Sequence, residues 1–321
     1  MAKITEYSFR SCDEEHTPIH AVKWEPDDGK VIATLQLVHG MQEYIERYDE
    51  FATYLTGKGF AVFGHDHIGH GLSVSSPKEL GVMHSRYPDD TMVEDIFENF
   101  GIIRKEYPDK PYFILGHSMG SYLLRKYLVS KVSSLKDVNG AIIMGTGSEP
   151  DGAVLAGRIM CSVIRMVKGR DAKSEFIKGI MFGGGSYAGY DATGEHPENS
   201  WLSKNVENVK EFLDPANPRS GYDFSLNGYM VLLRSIWFDN RMSNIRKMNP
   251  DIPVIFVSGD RDPVGAMGKG VRRAYDKFAK AKIKDLSIKL YEGDRHEILN
   301  ELDRGRVYDD LYEWMSKRFK T

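Results

Sequence analysis

The sequence predicts an α/β protein: a mostly parallel eight-stranded sheet flanked by helices, with a helical cap inserted late in the chain. Three observations predict it. Short apolar runs alternate with longer segments of helical period, which implies parallel strands joined by crossover helices. Several runs are apolar throughout, as strands covered on both faces require. The alternation stops near Gly145 and resumes near Pro253, so residues 1–145 and 251–321 read as the core and 146–250 as a cap, or lid.

The elements follow in order. Ile4–Phe9 and Ile19–Trp24 are candidate strands joined by a short polar segment, which suits an antiparallel edge pair. Val31–Val38 and Phe60–Gly64 flank a helical pattern over Ile45–Gly57. The pattern over Thr91–Glu106 leads into strand Tyr112–Leu115, and that over Met119–Val129 into strand Ala141–Met144. Strands Val254–Ser258 and Leu286–Leu290 alternate with helical patterns Lys269–Ala279 and Gly305–Phe319. In the insertion, Leu155–Val167 and Phe224–Ile236 have helical period, and Gly183-Gly184-Gly185-Ser186 interrupts it. Met160, Met166 and Met181 suit ordinary helix packing or, alternatively, an apolar pocket wall.

Composition excludes several classes. The 321 residues carry 43 basic and 46 acidic side chains, a formal net charge of −3. That balance offers no electrostatic case for nucleic acid. Two cysteines, Cys12 and Cys161, are too few for a disulfide framework or a cysteine zinc site, and read as free thiols in a reducing compartment. No apolar run approaches the ~18 residues of a membrane-spanning helix. Met1–Arg10 lacks the apolar run of a signal peptide, so a cytoplasmic protein is expected.

The chemical signal is Gly116-His117-Ser118-Met119-Gly120, which follows an apolar strand and opens a helical segment. This is the strand–turn–helix setting of a nucleophile elbow. Side chains two residues either side of the serine would strike neighbouring backbone, and Gly116 and Gly120 remove them. Gly184-Gly185-Ser186-Tyr187-Ala188 has neither flanking element. A serine hydroxyl needs a base, and in this arrangement an acid and then a histidine follow it in the chain. Of ten histidines only His196 and His296 lie beyond the elbow. His196 sits in the insertion, whereas His296 follows the last strand, where a base can reach Ser118. The acid should follow the strand before, in Gly259-Asp260-Arg261-Asp262-Pro263-Val264. Asp262 is favoured because Pro263 stiffens its loop, while Asp260 suits a turn cap. An oxyanion needs fixed N–H donors. Met119 N–H, at a helix N-terminus, is one candidate. Met41 N–H, in the Val38-His39-Gly40-Met41 loop, is the other, with Gly40 allowing close approach.

Together these residues resemble the α/β-hydrolase superfamily, and within it the monoacylglycerol lipase/lysophospholipase branch, which is grouped with serine aminopeptidase-like hydrolases. The resemblance runs from about residue 30 to 320. It is carried by His39-Gly40-Met41 with Glu43 and Arg47-Tyr48, by Asp66-His67-Ile68-Gly69-His70-Gly71-Leu72-Ser73, and by the elbow. The Asp262-Pro263-Val264 and His296-Glu297-Ile298-Leu299-Asn300-Glu301 segments complete it. The family's acid directly precedes Pro-Val, which also points to Asp262. Two residues depart from the branch: Tyr44 stands where many members have His, and Ile68 where they have Arg. Trp201-Leu202-Ser203 to Asp214-Pro215 and Gly221-Tyr222-Asp223-Phe224-Ser225 resemble cap segments of bacterial members.

The expected function is a serine ester hydrolase acting through an acyl-enzyme on monoacylglycerol- or lysophospholipid-type acyl esters. The alternative is an amide, peptide or thioester hydrolase with the same triad; an aminopeptidase would need cap acids such as Glu195, Glu198 or Glu207 to hold an ammonium. A non-enzymatic binding protein would lack a triad member. No cofactor or metal is expected, and His65, His67 and His70 with Asp66 read as a structural loop. A small acyl ester is the expected partner, with transient contact with lipid surfaces.

Overall fold

In a computed structural model of the chain, residues 2–135, 138–183, 187, 190 and 200–319 are described. Gly184, Gly185, Ser186, Glu195, His196 and Glu198 lie outside the described residues. The strands are β1 (Ala2–Arg10), β2 (Pro18–Pro26), β3 (Ala33–Val38) and β4 (Phe60–His65) in the first part of the chain. They continue with β5 (Tyr112–His117), β6 (Val138–Met144), β7 (Val254–Gly259) and β8 (Leu286–Tyr291). All eight form one sheet in the order β1-β2-β4-β3-β5-β6-β7-β8. β1 and β2 pair antiparallel, β2 also meets β4 antiparallel, and from β4 to β8 every pair is parallel. β3 to β7 are buried along their whole length except at Asn139, which is why they read as unbroken apolar runs.

Helices cover both faces. On one lie α1 (Asp49–Thr56) and, from the chain's end, Arg304–Ser316; with the sheet they enclose Leu35, Phe113, Val257 and Trp314. The helical pattern over 45–57 divides: Ile45–Tyr48 is a 3₁₀ turn that hands over to α1. On the other face lie α2 (Pro88–Glu106), α3 (Met119–Ser130) and the helix Lys269–Lys280, around Ile114, Leu123, Ile143 and Phe256.

Between β6 and β7 come α4 (Asp151–Lys168), α5 (Glu175–Phe182), α6 (Val206–Phe212), α7 (Leu226–Asp239) and the single turn α8 (Met242–Ile245). Lys269–Lys280 is then α9 and Arg304–Ser316 is α10. α7 packs on α3, α2 and α4, so the insertion is seated on the core helices. The three methionines have different fates: Met160 packs against the core, Met181 lines a cavity and Met166 is exposed. No helix among the described residues is long and apolar enough to cross a membrane.

Strand order positions the site. The chain runs from β3 outward to β4, then returns to β5 on the opposite side of β3. Loops leaving β3 and β5 therefore diverge, and a crevice opens at the carboxyl ends of these strands.

Candidate active site

The loops after β3, β5, β6, β7 and β8 meet at that crevice. Val38 pairs with Gly116 across β3 and β5, which sets Gly40 beside Ser118. Ser118 has φ 50° and ψ −120°, a backbone conformation that costs a non-glycine residue about 1–3 kcal/mol. The surroundings hold it there: Ser118 N–H donates to the Met144 carbonyl (3.0 Å) and Ser121 Oγ donates to the Ser118 carbonyl (2.6 Å). A Cβ on Gly120 would lie 2.1 Å from the Val38 carbonyl oxygen, and one on Gly116 2.4 Å from the Gly120 oxygen. A Cβ on Gly40 would lie 3.0 Å from the Ser118 Cβ. Only glycine fits at these three positions.

His296 and Asp262 are buried and joined, Nδ1 to Oδ1, at 3.1 Å. Ser258 Oγ donates to Asp262 Oδ2 (2.9 Å) and Val264 N–H to Oδ1 (2.9 Å). Burial raises the Asp262 carboxyl, but the His296 charge and hydrogen bond, with the Ser258 and Val264 donors, outweigh it and hold the group below its ordinary range. Asp260 does something else: its Oδ1 accepts the Gly293 N–H (2.8 Å) and closes the turn after β8. Ser118 and His296 line one cavity, and neither the Ser118 hydroxyl nor His296 Nε2 has a hydrogen-bond partner among the described residues. Such bonds often tighten only when substrate binds. The Met41 and Met119 N–H groups likewise donate to no described acceptor.

The cavity holds about 330 Å³. Its floor is polar, with His117, Ser118, His296, Glu43 and Glu297, and its roof comes from α4, α5 and α7 through Val154, Gly157, Met181, Phe182, Leu233 and Ile236. Trp201 stacks tilted on His296 at 5.4 Å, and its carbonyl accepts the His296 N–H (3.4 Å). Leu202 accepts the Glu297 N–H (2.8 Å). The insertion therefore fixes the main chain of the histidine loop.

Sequence reasoning assigned no role to a group of buried charges in and beneath the floor. Arg47 donates to Glu297 and to Asn208 (2.8 Å each), and Asn208 donates to Glu297 (2.6 Å). Removing one partner of such a buried pair costs about 3–5 kcal/mol. Glu43 receives Gly40 N–H (2.5 Å), Tyr48 O–H (3.1 Å) and His117 Nδ1–H (3.1 Å). Burial alone would raise Glu43, yet the His117 hydrogen bond and charge, with Arg47 and His39, bring it down to about 2. Glu43 and Arg47 were visible as family residues; nothing local marked Asn208 or Trp201 as their neighbours.

His65, His67 and His70 cluster with His39: the His39 and His67 rings are tilted 4.3 Å apart, the other ring pairs meet edge to face, and His39 Nε2 accepts the His67 N–H (3.0 Å). Burial lowers His65 and His70 to about 3. Three ligand-type side chains do converge elsewhere, His20, Glu46 and Asp66, within 4.8 Å of one another. Arg219 already pairs with Glu46 (3.0 Å), and Asp66 accepts Ile45 N–H (2.8 Å) and Leu72 N–H (2.8 Å) besides contacting His20 (3.0 Å). Their bonding partners are those of a structural cluster. Of the two departures, Tyr44 accepts from Asn217 (2.8 Å) under the Arg219 guanidinium, and Ile68 is packed in the core.

Comparison with known proteins fits this geometry. Residues 29–303 match the family model described as Serine aminopeptidase, S33. The chain belongs to that family. Within this serine aminopeptidase family, the chain is 27% identical to human monoglyceride lipase over 308 residues, covering 93% of this chain and 86% of that one. It is 26% identical to the monoacylglycerol lipase of Mycolicibacterium smegmatis over 296 residues, covering 91% and 90%. A thermostable carboxyl esterase from Bacillus coagulans, solved with glycerol, superposes with a TM-score of 0.86 at 26% identity, covering 99% of each chain. The α/β-hydrolase fold is thus shared over the whole chain, and the protein is an ester-hydrolysing serine hydrolase.

Proposed function

We propose that the chain hydrolyses monoacylglycerol- or lysophospholipid-type acyl esters through Ser118, Asp262 and His296, with residues 146–250 as the cap. The observation that carries the reading is the buried Asp262–His296 pair at 3.1 Å, opening into the cavity that Ser118 lines. In this reading His296 takes the Ser118 proton as Oγ attacks the acyl carbonyl, and Asp262 stabilises the imidazolium. The Met41 and Met119 N–H groups hold the oxyanion. His296 then protonates the leaving alcohol, and water releases the acid by the reverse sequence.

The apolar roof suits an acyl chain, and the relatives named as monoglyceride and monoacylglycerol lipases support glycerol as the alcohol. The aminopeptidase alternative has less behind it. Glu207 faces solvent beside Lys210 (3.4 Å), and Glu195 and Glu198 lie outside the described residues. The outer faces of α4 and α5 expose Ile159, Val163, Met166, Val167 and Phe176, which supports transient contact with a lipid surface. Cys12 and Cys161 are unpaired, as suits a reducing cytoplasm.

The test is a rate profile on monoacylglycerols, lysophosphatidylcholines and aminoacyl amides of matched acyl size, with and without neutral phospholipid vesicles. Monoacylglycerol should lead amides by 100-fold or more. Faster amide cleavage would transfer the assignment to a peptidase. Failure of the chain to sediment with vesicles would remove the lipid-surface contact.

A further inference from the structure

Glu43 stands at the junction of three loops that must agree in position. Its Oε1 accepts the Gly40 N–H (2.5 Å), which fixes the loop presenting Met41. The same oxygen accepts His117 Nδ1–H (3.1 Å), and His117 is the residue before Ser118. His117 Nε2 lies 3.3 Å from the His296 carbonyl oxygen, and the two rings are 4.7 Å apart. Both partners of the His117 ring, a carboxylate and a carbonyl, are acceptors only. Both ring nitrogens must therefore donate, and that requires the imidazolium form. The pair is buried, with side-chain exposures of 6% and 4%, so water does not compete for these bonds.

Glycine at 40 is part of the same device. A Cβ there would lie 2.5 Å from Glu43 Oε1 and 3.4 Å from His117 Nδ1.

We infer that Glu43 is a positioning residue: acting with His117, its carboxylate locks the Met41 loop, the nucleophile turn and the main chain of His296 into one geometry. This rests on the Ser118, Asp262, His296 assignment proposed above. Small errors in such alignment lower rates steeply, since ~1 Å of misplacement can cost ~100-fold. The titratable groups facing His117 are Glu43 on its Nδ1 side, the His296 ring at 4.7 Å and, more remotely, Glu297. Arg47 and His39 act on the Glu43 charge as well. Burial by itself would lower His117, and the Glu43 hydrogen bond and charge reverse that and raise it.

The experiment compares Glu43→Gln, His117→Gln and the double variant in the full chain, with folded fraction measured by circular dichroism. The acylation step is gauged by the rate at which a fluorophosphonate probe phosphonylates Ser118 with loss of fluoride, and kcat and KM are read with p-nitrophenyl butyrate. Glu43→Gln should slow acylation about 30- to 100-fold with KM within about twofold. The double variant should be no slower than the worse single variant, because the two side chains act as one unit. In carbon-labelled histidine spectra, the His117 ring signal should titrate at lower pH in Glu43→Gln than in the parent.

A folded Glu43→Gln chain acylating within threefold of the parent overturns the inference. So do losses that multiply in the double variant, or an unmoved His117 titration. Should Glu43→Gln fail to fold, His117→Gln carries the acylation test with the same limits. Ser118→Ala keeps the two readings apart: near-parental activity there defeats the triad assignment, whereas a fast Glu43→Gln beside a Ser118→Ala slowed at least ~10⁴-fold defeats only the role given to Glu43.

Discussion

The floor and the roof of the cavity are built from different chemistry. The floor comes from loops that leave the parallel strands, and its side chains are held by short polar contacts: His296 to Asp262 at 3.1 Å, Glu43 to Gly40 at 2.5 Å and Arg47 to Glu297 at 2.8 Å. The roof comes from α4, α5 and α7, and presents Val154, Gly157, Met181 and Leu233. None of these roof helices contains a histidine. In the proposed reading the difference separates two tasks. Proton transfer needs groups fixed to a fraction of an ångström, which hydrogen bonds from a rigid sheet supply. Accepting an acyl chain needs apolar volume, which helices can alter without disturbing the sheet.

The largest effect should come from the floor. Ser118→Ala should abolish ester turnover, with a fall of about 10⁴- to 10⁶-fold, while the melting temperature stays within a few degrees of the parent. Calorimetry beside a p-nitrophenyl ester assay checks both halves. Wild-type rates in that variant would remove the floor from the chemistry altogether.

A roof change should act on selectivity. A Cβ on Gly157 would lie 3.0 Å from Leu233 Cδ2, so Gly157→Leu fills the space between α4 and α7. Expected is a fall of about 10- to 100-fold in the ratio of kcat/KM for dodecanoate over acetate esters, since pocket methylenes carry discrimination of this order. An unchanged ratio would show that acyl chains avoid the roof.

The smallest effect concerns stability in acid, and it too belongs to the core side. His65 is fully buried and lowered to about 3, against about 6.5 in an unfolded chain. Between those values the unfolded chain binds the proton and the folded chain does not. The contribution of His65 is thus complete above about pH 6.5 and is lost as pH falls toward 3. Asp95 and Asp239, both raised to about 7 mainly by burial, act with the opposite sign, so the clean measurement is a difference between variants. From pH 6.5 to 5, His65→Gln should lose about 2 kcal/mol less stability than the parent in urea titrations. Parallel curves would mean that His65 is charged in the folded chain.

Legibility followed the range of the interaction. β3 and β5 were read from apolar runs, and the elbow from two glycines around Ser118, because strand burial and turn sterics are local. The eight strands and the antiparallel β1–β2 edge match the sequence expectation. The pattern over 45–57 was read as one helix, since periodicity does not separate a 3₁₀ turn from the α-helix it feeds. α5 and α6 went unread because eight and seven residues give too few turns to show a period. Met160, Met166 and Met181 were alike in sequence and ended packed, exposed and in the cavity wall, because only the neighbours of each helix distinguish its faces.

By itself, then, the sequence determined the alternation of strand and helix, the glycine-framed turn at Ser118 and the order in which a serine, an acid and a histidine follow one another. These depend on residues within a few positions of each other, where backbone sterics and side-chain period act. The tertiary structure alone decided that Glu43 grips His117, that Arg47 meets Asn208 and Glu297, and that Trp201 covers His296. Those contacts join segments up to 250 positions apart, and their partners are selected by strand register and helix packing, which local pattern does not encode.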